Sequence, residues 1–156
     1  MRSKWGKQVG ILMVAAMCLS GVSARGQAIM YMPDSLQWTD GPASLLPGAK
    51  VVVVKGDPTQ PGLFTMRLKF PANYKVQPHS HTADEHVTVI SGALHVGVGE
   101  TFDPAIAKTL PVGAFMVMPV GTKHFAWTEQ ETIIQLHGMG PWRVIYVNPE
   151  DDPRNK

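Results

Sequence analysis

The feature that most constrains the fold is an alternation of apolar and polar residues with a period of two. In the segment LFTMRLKF, every second residue from Phe64 to Phe70 is apolar and the residues between them are polar. Such alternation is typical of a β-strand with one buried face. Other short apolar runs follow at 51–57, 86–90, 93–99, 114–119, 131–138 and 142–147, with Gly, Pro or Asp in nearly every gap. Because no segment has a clear helical period, and 103–108 has room for one turn at most, the pattern predicts an all-β sandwich or barrel.

The first 28 residues differ in composition from the rest of the chain. Three basic residues precede an apolar run at 9–22, and small residues ending at Ala24 or Ala28 mark two candidate cleavage positions. This order predicts a secretory signal peptide over 1–28, and therefore an exported protein, periplasmic or secreted. The alternative is a membrane anchor, but the apolar run would span roughly 21 Å as a helix, less than the ~30 Å hydrocarbon core.

The remaining chain is predicted to form one domain. We expect an N-terminal extension over 29–50 that packs on a β-barrel over 51–148, followed by a charged C-terminal tail over 149–156. Removal of 1–28 takes away four basic residues and the single cysteine, Cys18, and changes the net charge from +2 to about −2. No Lys/Arg cluster remains to neutralise phosphates, so we expect no nucleic-acid partner, and no membrane partner after signal cleavage.

The segment PHSHTADEHVTVISG, residues 78–92, carries the strongest functional signal. It places three histidines and two carboxylates within nine residues, in a chain with six histidines in all. On a strand, residues two apart face the same way about 6.6 Å apart, so His79 and His81 are expected on one side. Glu85 has the same parity and is expected to join them if no bulge intervenes, whereas His86 should point away. A further ligand is expected from elsewhere, and His124 in the segment GTKHF is the candidate.

These residues belong to two spaced motifs, His79-x-His81-x3-Glu85-x6-Gly92 and Gly113-x5-Pro119-x-Gly121-x2-His124. The motifs resemble the two conserved signatures of the cupin superfamily. That resemblance implies a single-domain jelly-roll barrel in which His79, His81, Glu85 and His124 bind one metal ion. It also implies a homodimer. One position departs from the family pattern: Thr128 stands where the second signature often has Asn, which puts the local turn in doubt.

The implied ligand set restricts the metal without naming it. Three imidazoles and one carboxylate suit one divalent transition metal ion: Mn, Fe, Ni, Co, Cu or Zn. Such a site keeps open positions, which predicts a metal-dependent enzyme acting on a small oxygen-bearing molecule, of the dioxygenase, decarboxylase, isomerase or lyase type. Two alternatives stay open: a non-catalytic module that binds or senses a small ligand through the same metal, and a polar cupin pocket without metal.

Several other residues are weighed as pocket residues. His137 shares a strand face with Gln135, so it is a candidate second titratable group in the pocket. His95 is expected on the face opposite Leu94 and Val96. Trp127, Trp142 and Tyr146 are expected in the core more often than at a ligand.

Overall fold

The computed structural model describes residues 27–156, whose regular secondary structure consists mainly of antiparallel strands. The strands are β1 (Thr39–Asp40), β2 (Lys50–Lys55), β3 (Gly62–Phe70), β4 (Lys75–His81), β5 (Glu85–Ser91), β6 (Ala93–Val98), β7 (Lys108–Pro111), β8 (Phe115–Met118), β9 (His124–Trp127), β10 (Thr132–Gly140) and β11 (Val144–Tyr146). The helical elements of this part of the chain are short 3₁₀ turns at Pro33–Ser35, Pro104–Ile106, Pro149–Asp151 and Pro153–Asn155. The all-β prediction is therefore confirmed.

The strands form two sheets that enclose the core. One sheet has the order β1-β2-β3-β10-β5-β8 and the other β11-β4-β9-β6-β7. Neighbouring strands in sequence often lie in different sheets, as in a jelly roll, and this confirms the predicted fold class. Within residues 27–156 the two sheets share no strand, so the barrel is a two-sheet sandwich and not a closed ring of strand pairs.

The period-two pattern of β3 places its apolar residues in the core. Phe64, Met66, Leu68 and Phe70 are all at most 5% exposed. β10 pairs with β3 so that Ile134 lies opposite Leu68, and its apolar residues therefore face the same interior. The alternation thus fixes which side of the six-stranded sheet is buried.

The segment before β2 is attached to the sandwich by hydrogen bonds from two tyrosines. The hydroxyl of Tyr74 donates to the carbonyl of Leu46 at 2.6 Å, and that of Tyr146 donates to the carbonyl of Ser44 at 2.8 Å. At the other end of the chain, the Arg154 guanidinium donates to the carbonyl of Val144 at 3.0 Å.

The predicted signal peptide falls outside the described residues apart from its last two positions. In the part of the chain that is described, no helix has the length and hydrophobicity that a membrane crossing requires.

Candidate metal centre

Three histidines converge in the interior between the two sheets. One ligand nitrogen from each of His79, His81 and His124 lies within 4.8 Å of the other two, and all three residues are at most 5% exposed. His79 and His81 come from β4, while His124 starts β9, which pairs with β4 so that His124 lies directly opposite His79. The pairing of β4 with β9 thus brings the histidines of the two sequence motifs together, as predicted.

Glu85 reaches the same centre by a route that the sequence analysis did not foresee. β4 ends at His81 and β5 begins at Glu85, and these two strands belong to opposite sheets. The parity argument for a single strand was therefore wrong, because the chain crosses between the sheets at residues 82–84. The Glu85 carboxylate nevertheless lies 3.4 Å from Nε2 of His81 and 3.3 Å from Nε2 of His124.

Backbone carbonyls orient all three imidazoles. Nδ1 of His79 lies 2.7 Å from the carbonyl oxygen of Gln77, and Nδ1 of His124 lies 3.0 Å from that of Thr122. Nδ1 of His81 lies 3.2 Å from the carbonyl oxygen of Arg143. Since a carbonyl only accepts, each Nδ1 donates a hydrogen bond to it, which leaves Nε2 of each imidazole as the nitrogen that could bind a metal.

This arrangement tests whether a metal ion fits. Nε2 of His81 and Nε2 of His124 lie 3.4 and 3.3 Å from the Glu85 carboxylate, and Nε2 of His81 has no hydrogen-bond partner within residues 27–156. A cation bound between the imidazole nitrogens and the carboxylate would satisfy these buried groups. The three nitrogens, all within 4.8 Å of one another, are grouped closely enough to be offered to one ion. The residues therefore fit a divalent transition metal, as the sequence predicts.

The electrostatics agree with a cation-binding centre. Burial, together with the neighbouring His124 and His81, lowers the pKa of His79 to about 3, so this imidazole is neutral at physiological pH. Burial raises the pKa of the Glu85 carboxyl, but the contacts with His124 and His81 outweigh burial and hold the pKa below its usual range. The centre thus presents a neutral imidazole from His79 and an ionised carboxylate from Glu85.

The free space next to the centre is small and apolar. A cavity of about 50 Å³, which we call the barrel cavity, is lined by His79, Glu85 and apolar side chains such as Leu68, Val87 and Ile134. A space of this size holds one or two water-sized groups. Of the residues that line it, His79 and Glu85 are the ones that titrate.

The structure places the other weighed histidines away from the centre. His137 lies opposite His86 on the paired strands β10 and β5, and their rings stack at 4.9 Å on the outer face of the six-stranded sheet. His137 is therefore no part of the barrel cavity, because buried Ile134 and Leu136 take the inward parity of β10. His95 points outward as expected and stacks on Trp127 at 4.8 Å.

Two residues near the motifs have roles that are visible only in three dimensions. The hydroxyl of Thr128 donates to the carbonyl of Pro71 at 2.7 Å and accepts from the backbone N–H of Tyr74 at 3.3 Å, so threonine holds the turn where the family often has Asn. The indole of Trp142, from the far end of the chain, stacks on His81 at 4.2 Å with an interplanar angle of 19°. No local sequence signal indicates this contact.

The chain has the fold of solved cupin structures, a jelly-roll sandwich. The structure of an RmlC-like cupin from Shewanella frigidimarina is similar, with a TM-score of 0.56 and 17% identity over 72% of this chain and 91% of that one. A candidate acetylacetone dioxygenase from Methylibium petroleiphilum has a TM-score of 0.62 and 16% identity, over 85% of this chain and 89% of that one.

Residues 34–152 match the family described as "Domain of unknown function (DUF4437)", and the chain belongs to that family. The chain is also similar to the rhicadhesin receptor of Pisum sativum, with 37% identity over 83 residues, which is 53% of this chain. The matched part is 38% of the length of that relative.

Proposed function

We propose that this protein is an exported, metal-binding cupin that acts as a metal-dependent enzyme on a small oxygen-bearing molecule. The observation that carries the proposal is the set of acceptors around one point: three imidazoles fixed through Nδ1 and the ionised Glu85 carboxylate. A divalent ion held by His79, His81, Glu85 and His124 would polarise an oxygen of the ligand or lower the pKa of a bound water.

The residues around the centre supply the other requirements of such chemistry. The apolar lining of the barrel cavity excludes bulk water and so strengthens electrostatic interactions inside it. Glu85 is the group that could accept a proton from the ligand, since it is the only carboxylate of that lining. The structural similarity to a candidate dioxygenase is consistent with an oxygen-bearing substrate.

A second function is favoured by a specific observation. Among residues 27–156, His79 and Glu85 are the titratable groups that line the barrel cavity, and both are assigned to the metal. A centre without a separate acid or base fits a module that binds a small ligand through its metal without converting it. The name of the pea relative, a receptor, is consistent with binding as well.

Turnover separates the two functions. Residues 29–156, loaded in turn with Mn, Fe, Ni, Co, Cu or Zn, would be incubated with diketones, hydroxy acids and sugar acids while products and O2 uptake are measured. Product formation that is lost in His124→Ala supports the enzyme. Saturable, metal-dependent binding of one of these compounds without product supports the binding module.

Export needs its own test, because the predicted signal peptide has no structural support. The full chain fused to alkaline phosphatase should give phosphatase activity outside the cytoplasm and a cleaved N-terminus at Arg25 or Ile29. A fusion that remains inactive and uncleaved would contradict export. Size-exclusion chromatography with light scattering, on residues 29–156 without the fusion partner, tests the implied homodimer.

A further inference from the structure

A second and larger cavity lies next to the metal centre and shares no lining residue with the barrel cavity. We call it the Trp142 cleft; its volume is about 310 Å³. Val51 and Val53 of β2, Met66 of β3 and Val144 of β11 line it together with Trp142. The cleft is therefore lined by β2 and β3 of the six-stranded sheet and by β11, an edge strand of the five-stranded sheet. Its volume is at the lower end of the roughly 300–1,000 Å³ that small-molecule sites occupy.

Trp142, one of the residues that line this cleft, carries an unsatisfied donor. Nε1 of Trp142 is buried and has no hydrogen-bond partner within the described part of the chain. A buried donor without an acceptor destabilises a protein by roughly 1–3 kcal/mol, so such groups usually mark a missing ligand or water. An oxygen atom of a bound molecule would satisfy this donor.

The charges around the cleft are uneven. Asp40 forms an ion pair with Lys50 at 2.6 Å, and Arg154 forms one with Asp152 at 2.6 Å. Arg143 is the remaining charged residue of the lining, and it makes no ion pair with any acidic residue of 27–156. The cleft thus combines an apolar body with one uncompensated positive charge, which favours an anionic ligand.

The residues that line the cleft also hold a ligand of the proposed metal. The ring of Trp142 stacks on His81, and the carbonyl oxygen of Arg143 accepts from Nδ1 of the same histidine. The backbone N–H of Trp142 donates in turn to the carbonyl of Pro58 at 2.7 Å, which fixes this segment. A molecule in the cleft would therefore contact the side chain that separates it from His81.

We propose that the Trp142 cleft binds a largely apolar organic acid, with Nε1 of Trp142 donating to one of its oxygens and its carboxylate beside Arg143. This proposal rests on the proposed function only in that the cleft adjoins the proposed metal ligand His81 through Trp142. The barrel cavity, at about 50 Å³, is too small for such a molecule, so the acid lies in the cleft.

The test is a calorimetric titration with 2-naphthoate, a flat apolar acid, and with the neutral 2-naphthalenemethanol as its uncharged counterpart. The naphthoate should bind with one-to-one stoichiometry, and the alcohol about tenfold more weakly, because a charge-assisted hydrogen bond is lost. Arg143→Gln should reduce the affinity for naphthoate to that for the alcohol. Arg67→Gln, the same change on the outer face of the six-stranded sheet, should leave it unchanged.

Two further variants test the placement of the ligand. Trp142→Phe keeps a stacked ring but removes the N–H, and should weaken naphthoate binding about fivefold. Val53→Phe fills the cleft from a half-exposed position and should abolish binding, with near-UV circular dichroism showing that the fold is kept. Unchanged affinity in either variant, or no binding to the wild-type protein, would overturn the proposal.

Metal content of every preparation separates this proposal from the proposed function. The titrations are run on chelator-treated and on metal-loaded protein. Naphthoate binding without any metal uptake would contradict only the metalloenzyme, whereas metal uptake without naphthoate binding would contradict only the cleft.

Discussion

Replacement of Glu85 by glutamine is expected to have opposite effects on the metal-free and the metal-bound protein. When His81 and His124 are neutral in the metal-free protein, the Glu85 carboxylate lies 3.3–3.4 Å from two nitrogen acceptors. Glu85→Gln has nearly the same shape but removes the charge, and its amide can donate to one of these nitrogens. One net hydrogen bond contributes about 1 kcal/mol, so the metal-free variant should be more stable by at least about 1 kcal/mol, or roughly 4 °C in Tm.

The metal-bound protein should respond in the other direction. The variant loses an anionic ligand, so its affinity for a divalent ion should fall at least about tenfold. Urea unfolding at pH 8 with a chelator measures the first effect, and competition with a coloured metal indicator measures the second. Glu131→Gln, at an exposed position, is the matched control and should change neither quantity.

The stability of the metal-free Glu85→Gln variant would change in the opposite direction if a proton, and not a metal ion, supplied the positive charge beside Glu85. If protonated imidazoles, and not a metal, balanced Glu85, the centre would be a buried ion-pair cluster. Removal of its one carboxylate would then destabilise the protein by roughly 3–5 kcal/mol. A metal-free Glu85→Gln protein that is markedly less stable than the wild type would therefore refute the assignment of the cation as a metal.

Two substitutions test the packing that positions the centre. Thr128→Val removes the hydroxyl's hydrogen bonds to Pro71 and Tyr74 and should lower the free energy of unfolding by about 1–3 kcal/mol, as measured by urea unfolding. Thr128→Ser keeps the hydroxyl and should retain most of the wild-type stability. Equal losses in the two variants would contradict the role of the hydroxyl. A Cβ at Gly97 would collide with the ring of buried Phe125, so Gly97→Ala should cost about 1–3 kcal/mol. Phe125→Leu in the Gly97→Ala background should recover part of that loss, and thermal unfolding that shows no recovery would contradict the collision.

The local patterns of the sequence account for most of the fold. The alternation around Phe64 and Met66 predicts a strand face because side-chain direction on a strand depends only on parity. The first motif places His79 on β4 and the second places His124 at the start of β9. These two strands pair, which brings the two histidines together. Gly92, with φ of +74°, needs a left-handed conformation, as expected for a glycine between two strands.

The features that the sequence could not predict depend on long-range placement. Residue parity predicts side-chain direction only within one continuous strand. It could therefore not predict that the chain crosses from one sheet to the other before Glu85. The outward position of His137 is indicated by the sequence, since Ile134 and Leu136 give β10 a strong apolar face of the opposite parity. The stacking of Trp142 on His81 requires the pairing of β11 with β4, which no nearby residue specifies.

Metal analysis of the protein comprising residues 29–156, purified without added metal or chelator, tests the central claim most directly. His81→Ala removes an inward ligand, and His137→Ala removes a histidine of the outer face as a matched control. We expect roughly one equivalent of a divalent transition metal in the wild type and in His137→Ala, and none in His81→Ala. No metal in the wild type even after titration, or equal metal in the two histidine variants, would contradict the account.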